Sequence, residues 1–204
     1  MPSGQRRGRW SGVPLHDRQA LRRDELITAG VNVLGGESGS ALTVRAVCRS
    51  AGLTERYFYE SFQDRDDFVR AVYDHVCSTA MTALTSSTTP RDAVERFVAL
   101  MVDDPVRGRV LLIAPEREPV LTKSGAEWMP SFIQLLQHKL TQISDPAVQA
   151  MVATGLVGAL TALFTAYLNG RLEATREQFI DYCVDMLLSR ASSHSGYSPG
   201  APGV

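Results

Sequence analysis

The chain has 204 residues, 44% of them hydrophobic and 21% charged, with a formal net charge of -1. That is enough apolar mass for a small and a medium unit sharing a core. It excludes wholesale disorder, and so small a net charge does not by itself announce a polyanionic partner.

Charge is unevenly spread: residues 1–62 hold nine arginines and six acids (+3), and residues 63–204 hold twelve lysines and arginines and sixteen acids (-4), together -1. A basic front thus precedes an acidic body. Residues 1–15, rich in Gly, Pro and Arg without a period, read as a flexible basic arm. Arg6, Arg7 and Arg9 in it either reach phosphates or an adjacent minor groove, or belong to a solvated tail. The basic start lacks the apolar run of a signal peptide, which points to a cytoplasmic protein. Cys48, Cys77 and Cys183 are odd in number and far apart, and read as reduced thiols of that compartment. Asp17 is placed to cap a helix running to about Leu34, with Ala20, Leu21, Ile27, Val31 and Leu34 inward and Arg18, Arg22 and Arg23 on its surface. The glycine cluster of residues 35–40 breaks that helix. It lacks the Gly-Lys-Ser/Thr of a phosphate loop and reads as a turn.

Residues 42–62, LTVRAVCRSAGLTERYFYESF, read as two short helices about a glycine. Thr43 caps the first, whose apolar face is Val44, Val47 and Ala51. Gly52 supplies the left-handed exit, Leu53 turns inward, and Thr54 caps the second helix. That helix carries Arg56, Tyr57 and Tyr59, with Phe58 and Phe62 on its buried side. The pattern is that of a helix-turn-helix, which lays its second helix in a DNA major groove. An ordinary helical hairpin with a glycine C-cap carries the same pattern.

The stretch from Asp17 to Tyr73 resembles the TetR family of bacterial transcriptional regulators. The matching residues are Thr43-Val44-Arg45, Ala51-Gly52-Leu53-Thr54, Tyr59, Phe62, Arg65 and Phe68. Ser61 departs from the family's aromatic or His, Glu55 from a polar or basic residue, and Arg65 from the usual Lys. The resemblance implies an all-α regulator that acts as a homodimer on a near-palindromic double-stranded operator and is released from it, as a repressor, by a small ligand in its helical body. Arg56 and Tyr57 are the expected base contacts, Thr43, Arg45, Tyr59 and Arg65 the expected phosphate contacts, and Thr54 and Glu55 lie at the same surface. Glu55 either accepts from a cytosine amino group or is a solvated first-turn acid. Arg18, Arg22 and Arg23 stand within reach of the backbone.

Asp64 caps the next helix, with Phe68, Val72, Val76 and Ala80 inward to about Leu84. Thr89-Pro90 starts a helix with core face Val94, Phe97, Val98 and Met101, and Asp104-Pro105 starts another that ends near Ala114-Pro115. Residues 116–143 read as helix with an irregularity at Met129-Pro130 and an apolar side of Trp128, Phe132, Leu135, Leu136 and Leu140. Residues 147–168 are 22 positions without a charge, long enough to span a bilayer. Eleven of the 22 are Ala, Gly or Thr, no basic cluster flanks them, and Asp145 sits at one end, so a membrane span is rejected. A helix apolar all round is instead expected to pack on its own body and on a second copy. Gly155, Gly158, Ala159 and Ala162 permit that approach, joined by Phe179, Tyr182 and Met186 of a last helix begun by the capping box of residues 175–178.

The sequence therefore predicts an all-α fold of about nine helices. Residues 1–15 form the arm, 16–63 the DNA-binding head, 64–191 an effector-binding and dimerisation body, and 192–204 a disordered tail. The resemblance implies a pocket for an apolar or aromatic ligand, lined by Phe97, Met101, Trp128, Phe132, Leu135, Phe164 and Tyr167 with His138 or Gln134 as polar anchors; taken singly, each of these lining residues reads as plain core. The four histidines are scattered without metal-ligand spacing, and no nucleophile elbow or phosphate loop occurs. No catalysis, metal or cofactor is expected. The competing expectation is a helical small-molecule or lipid carrier whose head never meets DNA.

Overall fold

The computed structural model describes residues 15–36 and 42–193, which form ten α-helices and, among the described residues, no strand. In chain order these are α1 (Leu15–Leu34), α2 (Val44–Ala51), α3 (Glu55–Tyr59), α4 (Arg65–Thr85), α5 (Pro90–Met101), α6 (Pro105–Leu112), α7 (Ala114–Arg117), α8 (Leu121–Lys139), α9 (Pro146–Leu168) and α10 (Arg176–Ser193). The arm with Arg6, Arg7 and Arg9, most of the glycine turn before α2, and the tail beyond residue 193 lie outside the described residues.

Helix ends follow local chemistry. Side-chain oxygens of Thr43, Asp64, Thr89 and Asp145 accept from the backbone N–H groups of Ala46, Asp67, Asp92 and Ala147 at 3.2, 2.7, 3.1 and 2.8 Å. Each satisfies a donor that the first helical turn leaves over. Thr175 and Gln178 bond reciprocally, at 2.9 and 3.2 Å, as a capping box does. Gly52, at φ 66°, ends α2 in the left-handed region, and its N–H returns to the Arg49 carbonyl.

Several boundaries differ from expectation. Helix α1 begins before Asp17, which therefore sits in the first turn rather than at the cap. Thr54 stands at the N-cap of α3, but its hydroxyl makes no capping bond; its backbone carbonyl accepts from Tyr57 N–H at 3.0 Å. The stretch read as one helix from residue 116 divides at Pro119, not at Pro130. Glu118 is extended (φ -111°, ψ 100°), as the residue before a proline prefers. Helix α8 passes through Pro130 unbroken. Pro130 and Ala126 are both exposed, so the carbonyl that loses its donor lies on the solvent side of the helix. The extra break at Pro119 raises the count to ten.

Three apolar clusters hold the helices. The largest runs without interruption from head to body: Leu26, Val47, Phe58, Phe62 and Phe68 continue into Val72, Val76, Met101, Val110 and Leu121. Phe58, Phe62 and Phe68 form a ring triad with centroids 4.7 to 5.5 Å apart, a spacing that favours edge-on contact. A second cluster joins α5, α9 and α10 through Val94, Val98, Phe164, Phe179, Ile180 and Cys183. A third closes the α8–α9 turn with Leu140, Ile143 and Ala153.

Candidate nucleic-acid interface and internal cavity

Helix α3 is five residues long, too short to stand alone. It is fixed from below by fully buried Phe58 and from the side by α1, where the Arg22 guanidinium lies 4.3 Å over the Tyr57 ring. Arg23 does the same over Phe62 at 4.3 Å and donates to the Ser61 carbonyl at 3.2 Å. Gln19 donates to the Glu60 carbonyl at 3.2 Å. These contacts hold half-buried Arg22 against α3 and exposed Arg23 against the turn that follows it, and leave the opposite face free of the fold.

On that face Arg56 is 85% exposed in its side chain and Tyr59 is 58% exposed, with Thr54 and Glu55 beside them. Tyr57 is half-buried. Arg45 projects from α2 next to Glu55, 3.5 Å away, and Arg56 pairs with Glu60 at 3.0 Å. Both pairs are solvent-exposed and worth only about 0.3–0.5 kcal/mol. A bidentate arginine–guanine contact is worth about 1–3 kcal/mol, so the pairs are exchangeable for such a contact. The Thr43 hydroxyl accepts from Ala46 N–H and so keeps its own hydrogen for an outside acceptor.

Arg65 is placed otherwise than expected. Its Nε donates to the Leu42 carbonyl at 2.8 Å, its Nη2 to both Glu118 oxygens at 2.7 and 2.8 Å, and its Nη1 to Asp66 at 3.0 Å. The bond to Glu118 is the main cause of a raised Arg65 pKa. With four of its five N–H donors taken by the chain itself, Arg65 is first a strut between head and body.

The body holds a cavity of about 190 Å³, open at one side, between α4, α5, α6, α8, α9 and α10. Phe97, Trp128, Phe132, Leu135 and Phe164 line it, as the sequence suggests. Met101, Tyr167 and His138 do not. Met101 is fully buried in the head-to-body core. The Tyr167 ring stacks on Phe179 at 4.3 Å, and its hydroxyl donates to the Ala174 carbonyl at 3.2 Å. His138 and Gln134 are exposed. At 3.6 residues per turn His138 points about 120° away from Phe132, whereas Lys139 points within about 20° of it. Lys139 lines the cavity, and its place in the stripe Trp128, Phe132, Leu135, Lys139 was the available signal.

The polar side chains of Tyr73, Trp128 and Thr161 also meet this space. Tyr73 lines it, and burial, with Cys77 and Asp74 beside it, pushes its phenol well up, so it remains a neutral hydroxyl. Burial likewise pushes the Cys77 thiol up to about 12 and Cys183 up to about 11, which makes both poor nucleophiles. Trp128 Nε1 donates to Asp74 at 2.7 Å, pinning α8 to α4. Among the described residues no group of three or more His, Cys, Asp or Glu side chains could hold a metal ion.

Of the residues expected at a second chain, Phe179 is placed elsewhere. It is 3% exposed and packs edge-on against Phe164 at 4.9 Å, inside its own chain. Gly155, Gly158 and Ala162 are exposed on α9, Ala159 is half-buried, and on α10 Tyr182 is 60% exposed and Met186 half-buried. Among the described residues, α9 is the one helix long and apolar enough to cross a membrane.

The helix-turn-helix head and the all-helical body are continuous with one another. The fold is similar to that of solved TetR-like regulators. A transcriptional regulator from Rhodococcus sp. Rha1 superposes with a TM-score of 0.69 at 14% identity, over 86% of this chain and 99% of that one. A TetR-like regulator from Rhodococcus sp. RHA1 gives 0.65 at 19% identity, over 83% and 94%. A TetR family regulator from Marinobacter aquaeolei VT8 gives 0.63 at 16% identity, over 86% and 98%. The shared property is the fold. No family model and no curated protein matches the sequence.

Proposed function

We propose that the protein is a homodimeric, cytoplasmic, DNA-binding transcriptional regulator of the TetR type, a repressor that a small apolar or aromatic ligand releases from its operator. The observation that carries this reading is the outward face of α3. Arg56 and Tyr59 project from a helix whose other sides are locked by Phe58 and by Arg22 on Tyr57. A structural hairpin has no need of so firm a platform for exposed side chains. Arg56 reads base edges, joined at the margin of the face by the half-buried Tyr57; Thr43, Arg45 and Tyr59 hold phosphates, and Thr54 and Glu55 border them. Arg65 serves first as the strut between head and body.

The dimer reading is supported by exposed Met151, Gly155, Gly158 and Ala162 along α9 and by Tyr182 on α10. Such a stripe also lets α9 serve a second chain without invoking a membrane. Paired heads read half-sites about 34–36 Å apart or a multiple of that. Ligand in the cavity favours a head spacing unfit for the operator, through unequal affinity for the two states.

Duplexes selected from a random pool supply the operator. On it, Arg56→Ala weakens binding in a gel shift by about 1–3 kcal/mol and relaxes sequence preference. An equal loss on random duplex removes base reading by Arg56. If the wild-type chain shows no salt-dependent affinity for DNA, the carrier reading replaces this one.

A further inference from the structure

The cavity carries more information than its apolarity. Among the described residues lining it, one is charged, Lys139, and none is acidic. A cationic ligand would meet a like charge at the exposed mouth, where no lining side chain is a carboxylate; Asp74, bonded to the lining Trp128, already accepts from its Nε1 at 2.7 Å. Lys139 donates to the Ser87 carbonyl at 3.0 Å. An ammonium has three donors, so that bond leaves two directions open. Asp92, an acid that feels its charge, is itself engaged by Arg96 at 2.6 Å and by the Thr88 N–H at 3.2 Å. Lys139 is exposed and marks the mouth, while Phe97, Trp128, Phe132 and Phe164 lie deeper.

Size and shape narrow the ligand further. An engineered apolar cavity of about 150 Å³ holds one benzene ring. The 190 Å³ here accommodates one ring and a short arm. Phe97 and Phe164 already meet edge-to-face at 4.9 Å and 89°, the geometry a further ring would join. Along α8, Phe132 and Lys139 are separated by about 10 Å of helix rise, a span that a ring, a short arm and a lysine side chain bridge together.

We infer that the effector is a small monocyclic aromatic acid, its ring among Phe97, Trp128, Phe132 and Phe164 and its carboxylate at Lys139. This rests on the reading of the body as an effector domain. It assigns Lys139, not His138, as the polar anchor and excludes cationic ligands.

Calorimetric titration of the full chain, without DNA, tests it with four probes: 3-phenylpropanoate, its amide, 3-phenylpropylamine and octanoate. The wild-type protein binds the acid more tightly than the amide by on the order of twofold to fivefold, and the amine more weakly than either. Lys139→Met abolishes the acid-over-amide preference, because it costs the acid more affinity than the amide, and Lys139→Arg keeps the preference. The proposal is overturned if the acid does not bind, if acid and amide bind alike, or if the preference survives in Lys139→Met. Octanoate binding more tightly than 3-phenylpropanoate overturns the aromatic assignment. Because the titration needs no DNA, its failure beside an intact gel shift sinks this inference alone. Success beside absent DNA binding sinks the regulator reading instead.

Discussion

The Arg65 guanidinium ties three parts of the chain together: the residue before the α2 cap, its own helix α4, and Glu118 at the end of α7. Glu118 is only 13% exposed in its side chain, and both its oxygens accept from Arg65. Removing one member of a partly buried, hydrogen-bonded pair leaves the other unsatisfied. Glu118→Ala is therefore expected to lower stability by about 1–3 kcal/mol, read as a shift of the urea midpoint. A midpoint within error of wild type would show that Arg65 finds water instead. The position of a cation here was legible in the sequence, because it falls at fixed spacing after the helix-turn-helix. Its role was not, since the partner lies 53 residues away and local spacing carries no sign of it. The same applies to Arg22, whose value to Tyr57 depends on how α1 crosses α3.

Between elements, the decisive contact is where α1 crosses α4. A Cβ added at Gly30 would meet Phe68 Cζ and Val72 Cγ2 at 2.5 Å each. Both neighbours are fully buried, so neither has room to yield. Replacing a mid-helix glycine with alanine gains about 1 kcal/mol of helix propensity, but forcing a methyl into a packed core costs about 1–3 kcal/mol. At 2.5 Å the steric cost wins, and Gly30→Ala is expected to destabilise in thermal unfolding. A raised melting temperature would mean that the helices part easily. Periodicity and caps made most helices legible, because a cap is a local bond between residues two or three apart. The break at Pro119 and the continuity through Pro130 were not legible. Both prolines look alike in sequence, and only burial of the surrounding turn decides which one can sit inside a helix.

At the scale of the whole molecule, the two classes of glycine separate. Gly30 is crowded by its own chain, whereas a Cβ at Gly155 or Gly158 would meet nothing within 4 Å. The open pair lies on the exposed stripe of α9 with Met151, 66% exposed. A carboxylate there is harmless to the single chain and costly if buried against a second. Gly158→Asp is thus expected to sediment as a monomer while keeping its helical circular dichroism. An unchanged dimer would place the interface elsewhere. The charge-free run of residues 147–168 made this face legible as apolar. Which of its sides turns inward depended on where α8 and α10 come to rest, and this is why Phe179 was misassigned.

The uninterrupted apolar cluster from Leu26 to Leu121 has a bearing on protein engineering. Cutting at residue 63 would strip the head of Phe68, Val72 and Val110, the surfaces on which its short helices rest. A chimera that lends this head to a foreign sensor must therefore bring α4 and the facing side of α6 with it, or rebuild their contours in the recipient.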